Sequence, residues 1–291
     1  MIYKIIHRST YRYKHPVSVG NHVACLKPRT SQRQKLMQVE LHIEPSPVMC
    51  TERIDYFGNR QCFFTVQEPH KELVVEARCE VRVANVGPWP RQEIAWEEVA
   101  ESLPHDLSEA GLDAYQFVFE SPRIRTRPEF AAYARESFAD GRSMGEALLD
   151  LTARINRDFR FDAKVTNVRT PPEEVFRKRR GVCQDFAHVQ IACLRSLNLA
   201  ARYVSGYLRT RQPPGRPRLV GADASHAWVS AYCPGSGWLD VDPTNDVVPS
   251  DGHVTLAWGR DYGDVSPLRG LVLGGGDHTL RVAVDMEPVE T

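Results

Sequence analysis

Apolar and polar residues alternate over the first ~85 positions, and a period of two is a strand period, so this stretch constrains the fold more than any other. Ile2, Lys4 and Ile6 alternate with Tyr3, Ile5 and His7, and the pattern runs on through Thr10–Lys14 to Pro16. Gln38–Ile43 and Leu73–Val83 repeat it, with turn chemistry between them at Asp55-Tyr56-Phe57-Gly58-Asn59. Gly58 and Asn59 both tolerate positive φ. Strands without an intervening helical period predict an antiparallel β-sandwich over residues 1–88.

At Val86-Gly87-Pro88-Trp89-Pro90 the composition changes, and Pro and Gly mark a boundary there. Residues 89–291 form the second unit. Pro128–Phe138 reads as a helix opened by proline. Ser143–Phe159 reads as a second, with Ser143 as cap and Leu148, Leu149, Leu151 and Ile155 as its apolar side. Arg177–Gly181 (RKRRG) reads as a solvated basic run, and Thr210–Leu219, with three prolines, as an exposed loop. Gly274-Gly275-Gly276 lacks the Lys-Ser/Thr of a phosphate loop and reads as a turn.

Lys plus Arg number 37 and Asp plus Glu number 37, so no net charge draws the chain to nucleic acid or a membrane surface. The N-terminal MIYKIIHRSTYRYKHPV does not read as a signal peptide, and no apolar run approaches the ~18 residues of a membrane span. The seven cysteines include no C-x-x-C pair, which argues against a zinc site or disulfide framework. Free thiols and the N-terminus together give a cytoplasmic expectation.

One thiol stands apart. In GVCQDFAHVQIACL, Phe186, Val189, Cys193 and Leu197 share a helical face, and Gly181 interrupts any earlier helix. Cys183 thereby falls in a first helical turn, where unpaired N–H groups and the helix dipole favour an anion. A thiol in such a place ionises more readily, and the thiolate is the nucleophile. Taken alone, a cysteine is more often a small buried residue. Downstream, Ser225–Tyr232 alternates as a strand that carries His226, Trp228, Ser230 and Tyr232 on one face. His226, at the strand's start, is expected to present its ring at a sheet edge. Pro234 and Gly235 turn the chain into Gly237–Thr244, a second strand whose Asp240 and Asp242 share a face. A hairpin of this kind brings an acid to His226, able to fix its tautomer, and the alternation fits either aspartate. Helix-start Cys, strand His and next-strand Asp form a far more specific signal than any one alone.

The segments GVCQDFAHVQIACLRSLNLAARYVSGYL, DASHAWVSAY and GWLDVDPTND closely resemble the core of bacterial transglutaminase-like proteins. Residues 1 to about 85 resemble the β-rich region that accompanies that core, and the tail GRDYGDVSPLRG…HTLRVAVDMEP is similar as well. The resemblance implies an α+β fold with a papain-like core, a Cys-bearing helix packed on an antiparallel sheet. It implies Cys183 as nucleophile, His226 as general base and acid, and Asp242, directly before Pro-Thr, as the orienting acid. It also implies a peptide or protein substrate and no cofactor or metal. Animal transglutaminases use a tryptophan upstream of the nucleophile, whereas no Trp lies between Trp96 and Trp228 here. Phe161 stands where bacterial relatives often carry Tyr. Oxyanion donors are then expected from the Cys183 N–H and from Gln184 or Thr166. Cleft candidates are Asp185, Asp223, Trp228, Arg260 and Tyr262, while His188 reads as packing. The expected activity is a cysteine protease or amidase. The alternatives are a protein-glutamine cross-linking transglutaminase and a non-catalytic peptide-binding module.

Overall fold

The computed structural model describes residues 1–84, 89, 94–210 and 224–289. Five strands come first: β1 (Ile2–Ala24), β2 (Gln34–Glu44), β3 (Met49–Ile54), β4 (Arg60–Val66) and β5 (His70–Val83). Then follow α1 (Trp96–Ser102), α2 (Glu109–Tyr115), α3 (Pro128–Arg135), α4 (Met144–Asp158), β6 (Arg160–Phe161), α5 (Pro172–Lys178), β7 (Arg180–Gly181) and α6 (Cys183–Arg195). The chain finishes with β8 (Ala201–Leu208), β9 (Ala224–Cys233), β10 (Gly237–Val241), β11 (His253–Gly259), α7 (Tyr262–Val265), β12 (Leu268–Gly274) and β13 (His278–Pro288). The fold is α+β, with an antiparallel N-terminal sheet and a papain-like core.

β1 organises the first sheet because it is long enough to be used twice. Its first half pairs with β5 and β13, Tyr3 lying opposite both Val81 and Pro288. Its second half pairs with β4 and β12, Ala24 lying opposite both Cys62 and Leu268. A register irregularity between Arg12 and Val17 separates the halves at Pro16, where proline removes a ladder donor. The two C-terminal strands therefore complete the sheet of the N-terminal region. The three glycines before β13 make the return turn, with φ of 94°, 77° and 65° at Gly274, Gly275 and Gly276. That left-handed region favours glycine.

The second sheet has the antiparallel order β10-β9-β8-β11. Strands buried on both faces read as near-continuous apolar runs, and all of Ala201–Tyr207 is buried. One face packs on α6, where Phe186, Val189, Ile191 and Cys193 meet Ala227, Val229 and Ala231 in one core. From the other face Tyr207, Val254 and Leu256 enter the core of the N-terminal sheet with Tyr3, Ile5, Val284 and Met286. Helix, sheet and sheet thus stack in that order, and β8 is shared between two cores.

Local signals were followed with informative departures. Ser143 caps α4 by accepting from Glu146 N–H, and Leu148, Leu151 and Ile155 are buried, but Leu149 is 41% exposed. In the Asp55–Asn59 turn, Gly58 takes the positive φ of 77°. Asn59 works through its amide, which donates to Trp258 O (2.8 Å) and accepts from Trp258 N (3.0 Å), tying the hairpin to β11. Within the basic run Arg179 is not simply solvated. It ends α5 at φ 54° and lays its guanidinium over Phe176 at 4.1 Å and Phe159 at 4.6 Å. Most of the boundary at 86–90 and of the 210–219 loop lies outside the described residues.

Candidate active site

Cys183 is the first residue of α6, and extended Val182 (φ −118°, ψ 179°) precedes it. Asp185 closes this turn. Its Oδ2 accepts from Val182 N at 2.8 Å and from the Thr166 hydroxyl at 2.6 Å. Gly181 is required beside it, since a Cβ there would fall 2.6 Å from Asp185 Oδ2. Burial pushes the Asp185 carboxyl up, an effect opposed by the Thr166 and Val182 bonds. The first intrahelical acceptor, Val182 O, takes Asp185 N and Phe186 N. The N–H groups of Cys183 and Gln184 lie ahead of it, in the turn whose donors a helix leaves unpaired.

His226 sits on β9 opposite Gly206 of β8 and beyond the β10 ladder, which ends at Val229. It is 7% exposed, and its Nε2 donates to Asp242 Oδ2 at 2.7 Å. His226 and Cys183 line the same cavity, and the interaction with Cys183 helps to raise the ring. The arrangement selects between the two aspartates: Asp240 turns to Arg33 (3.5 Å), whereas Asp242 is wholly buried against His226.

Asp242 is held from every side. Oδ1 accepts from Thr244 N (2.9 Å) and Asn245 N (3.3 Å). Oδ2 accepts from Asn245 Nδ2 (2.7 Å) and from His253 Nε2 (3.3 Å) as well as from His226. Asn156 Nδ2 holds the following loop through Thr244 O at 2.8 Å. The His253 tautomer is fixed, because Ser250 N–H donates to its Nδ1 and leaves Nε2 to donate to the aspartate. Burial would raise the Asp242 carboxyl, but the bonds from His226, His253 and Asn245 bring it well below the usual range. Burial alone would likewise lower His226; bonds to Asp242 and Cys183, with the charges of both, lift it instead to about 10. The ring thus favours its imidazolium form between the Cys183 sulfur and the Asp242 carboxylate. The ligand-type atoms of His226, Asp242 and His253 lie within 4.8 Å of one another, and hydrogen bonds to Asp242 Oδ2 already occupy that space.

A cavity of about 240 Å³ opens over Cys183, Gln184 and His226. Tyr203, Ser205 and Ser225 line it from the core, Tyr262, Pro267 and Leu268 from beyond, and His7, Ser9, Tyr11, Leu280 and Val282 from the N-terminal sheet.

The structure sorts the remaining sequence candidates. Tyr262 and Gln184 line the cavity, the Gln184 amide donating to Val168 O at 3.4 Å. The Thr166 hydroxyl is given to Asp185, so neither group faces a substrate. Trp228 is 1% exposed and lies edge-on to His253 at 5.5 Å, buried beside that ring rather than in the cleft. Arg260 faces Asp264 through two bonds of 2.9 and 3.0 Å, an anchor for α7. His188 is buried, accepts from Tyr262 N at 3.1 Å, and is pushed down to about 3 by burial. Asp223 lies outside the described residues. Sequence reasoning missed His253 and Asn245, which carry no periodic signal, and the wall formed by β1 and β13. The one sign of that wall is polar His7 and Ser9 at positions of β1 whose parity is otherwise apolar.

A thiol on a helix start, an imidazolium on the adjoining sheet and an acid behind it define the papain-like class of thiol site. Residues 3–82 match the bacterial transglutaminase-like N-terminal region and residues 131–243 the transglutaminase-like superfamily. This chain belongs to that superfamily. An uncharacterized protein of Mycobacterium tuberculosis is 37% identical, covering 99% of this chain and 93% of the relative. One of Mycobacterium leprae is 30% identical, covering 97% of each. A protein-glutamine gamma-glutamyltransferase of Pseudomonas aeruginosa is 33% identical over 51% of this chain and 23% of its own length. Among solved structures, a protein of Cytophaga hutchinsonii provisionally described as a cysteine protease superposes with a TM-score of 0.78. It is 22% identical and covers 100% of this chain and 91% of that one, a likeness of fold.

Proposed function

We propose that this protein is a thiol-dependent acyl-transfer enzyme that hydrolyses amide bonds in a peptide or protein substrate. One observation carries the reading: His226 bridges Cys183 and the wholly buried Asp242, through a 2.7 Å bond to the latter. The Cys183 sulfur attacks the carbonyl carbon as thiolate. The N–H groups of the first α6 turn receive the developing oxyanion, as preorganised backbone donors do. When the C–N bond breaks, His226 gives its proton to the departing amine, and a thioester remains on Cys183. Neutral His226 then takes a proton from water, whose oxygen attacks the thioester, releasing a carboxylic acid and restoring the thiolate–imidazolium pair. Asp242 keeps the ring aligned throughout. A primary amine in place of water gives transamidation, the second reading, which the identity to the Pseudomonas transferase favours. The five buried thiols suit a reducing compartment, and a cytoplasmic location belongs to this proposal, checked by cell fractionation.

Limiting iodoacetamide, read site by site by mass spectrometry in wild type and His226→Ala, tests the site. Cys183 is labelled ahead of exposed Cys50 and loses that lead without His226. Equal labelling of Cys183 and Cys50 in wild type would return the non-catalytic binding module to the front. For the reaction, a peptide pool incubated with and without a primary amine separates acid products from amine adducts. Predominant adducts would replace hydrolysis by cross-linking.

A further inference from the structure

The wall opposite Cys183 belongs to another sheet, and it holds a polar pair where an apolar one would pack. Along the inward parity of β1, Tyr3, Ile5, His7 and Ser9 are all buried, the last two being 1% and 2% exposed. His7 and Ser9 line the same cavity as Cys183 and His226. Beside them on β13, Val284 is buried against His7, whereas Val282 (44% exposed) and Leu280 (50% exposed) lie beside Ser9 and Tyr11 at the cavity's rim.

His7 Nε2 and Ser9 Oγ are 3.1 Å apart, and His7 Nδ1 has no hydrogen-bond partner among the described residues. A native buried polar atom without a partner calls for an explanation. Burial pushes His7 down to about 4, so the ring is neutral and holds one N–H. If Nδ1 carried that hydrogen, a buried donor would be orphaned, a rarer condition than a bare acceptor. The hydrogen therefore belongs on Nε2 and is donated to Ser9 Oγ. The Ser9 hydroxyl hydrogen is then free to turn into the cavity as a donor. No Asp, Glu, Lys or Arg lines the cavity among the described residues. A charged group entering it would lose hydration with no counter-charge beyond the His226 imidazolium, which Asp242 already matches.

We propose that Ser9, oriented by His7, is a substrate-binding residue that selects an uncharged, hydrogen-bond-accepting group next to the reacting carbonyl. Ser9 makes the contact, and His7 acts through it as a positioning residue. The apolar rim of Leu280, Val282 and Tyr11 encloses the stem of that group. The N-terminal sheet is thus half of the substrate cleft. This rests on the reading of Cys183 as nucleophile.

Three matched peptidyl vinyl sulfones on the full chain test it. Each takes the Cys183 sulfur on its terminal vinyl carbon and a proton on the other, with no leaving group. The probes differ only in a side chain ending in a carboxamide, in a branched alkyl of the same shape, or in a carboxylate. In wild type the carboxamide probe modifies Cys183 about tenfold faster than the alkyl probe, and the carboxylate is slowest. In Ser9→Ala the carboxamide-to-alkyl ratio collapses to near one, and Ser9→Thr restores it. His7→Phe, which keeps a ring but removes the donor to Ser9, lowers the ratio in part. A general loss of packing would slow all three probes together. A ratio that survives Ser9→Ala, or a carboxylate probe as fast as the carboxamide in wild type, overturns the proposal. Iodoacetamide on the same samples separates the two claims. Preferential labelling of Cys183 with a flat probe ratio sinks this inference alone; no preferential labelling sinks the nucleophile and this inference with it.

Discussion

Two histidines look into one cleft in opposite charge states. His226 is lifted to about 10, because Asp242 and Cys183 outweigh the cost of its burial. His7 is pushed to about 4, because burial acts on it with no acid to oppose it. Both rings are almost fully buried, at 7% and 1% exposure. Burial therefore does not set the charge; the neighbour does. The core wall of the cleft was given a buried carboxylate and so holds a cation, while the N-terminal wall was given a serine and so holds a neutral ring.

The comparison breaks most severely at Asp242. Asp242→Asn removes the charge that holds the imidazolium, and Cys183-dependent turnover is expected to fall on the order of 10³- to 10⁴-fold. The His226 titration, followed by NMR, should move down from about 10 toward the ordinary histidine value. A titration that stays put would mean that the thiol alone sustains the cation.

The pH dependence of thermal unfolding gives a smaller and two-sided effect. His226, raised in the folded state, contributes stability that is fully present below about 6.5 and is lost as pH rises through about 10. His7 works in the other direction. As pH falls below 6.5 the unfolded chain takes the proton first, and stability drops until the folded ring titrates near 4. Its share of that acid limb is roughly 3 kcal/mol. His22, also near 4, and His188, near 3, add to the limb. His7→Phe should make the melting curve less steep between pH 6.5 and 4, by the share of His7 alone, and leave the alkaline limb in place. An unchanged acid limb would show that His7 is not neutral through burial.

The smallest effect is expected outside both walls. Arg260→Ala removes a partly exposed ion pair with Asp264 and should cost about 0.5 kcal/mol or less, with turnover within about twofold of wild type. A large loss of turnover would bring Arg260 back into the cleft.

The sequence made the core wall readable because its parts are local. A glycine before a helical face places Cys183, and one hairpin joins His226 to Asp242, so spacing and alternation suffice. Choosing Asp242 over Asp240 needed the family resemblance, since both lie on one face; in the structure Arg33 takes Asp240, whereas His226, His253 and Asn245 take Asp242. The N-terminal wall was illegible for a related reason. Alternation says that β1 and β13 are strands but not that Ser9 lies opposite Val282, because a period of two carries no information about partners. Asn59 ends the turn that its composition signals, while its bond to Trp258, far along the chain, leaves no local sign. Thr166 and Asp185, expected near the substrate, satisfy each other. Polar residues beside a nucleophile are recruited to hold the helix start as readily as to meet a ligand.

The pairing of β1 with both C-terminal strands also sets a timetable. Pairing segments this far apart in sequence carries a large loop-closure cost, and contacts of such separation form slowly. The core segment with Cys183, His226 and Asp242 is complete in sequence before β12 and β13 begin. During synthesis, then, Cys183 emerges ahead of β12 and β13, whose Leu268, Leu280 and Val282 help to line the cavity over it. On the reading proposed above, the wall that selects a substrate is thus completed later than the thiol it serves.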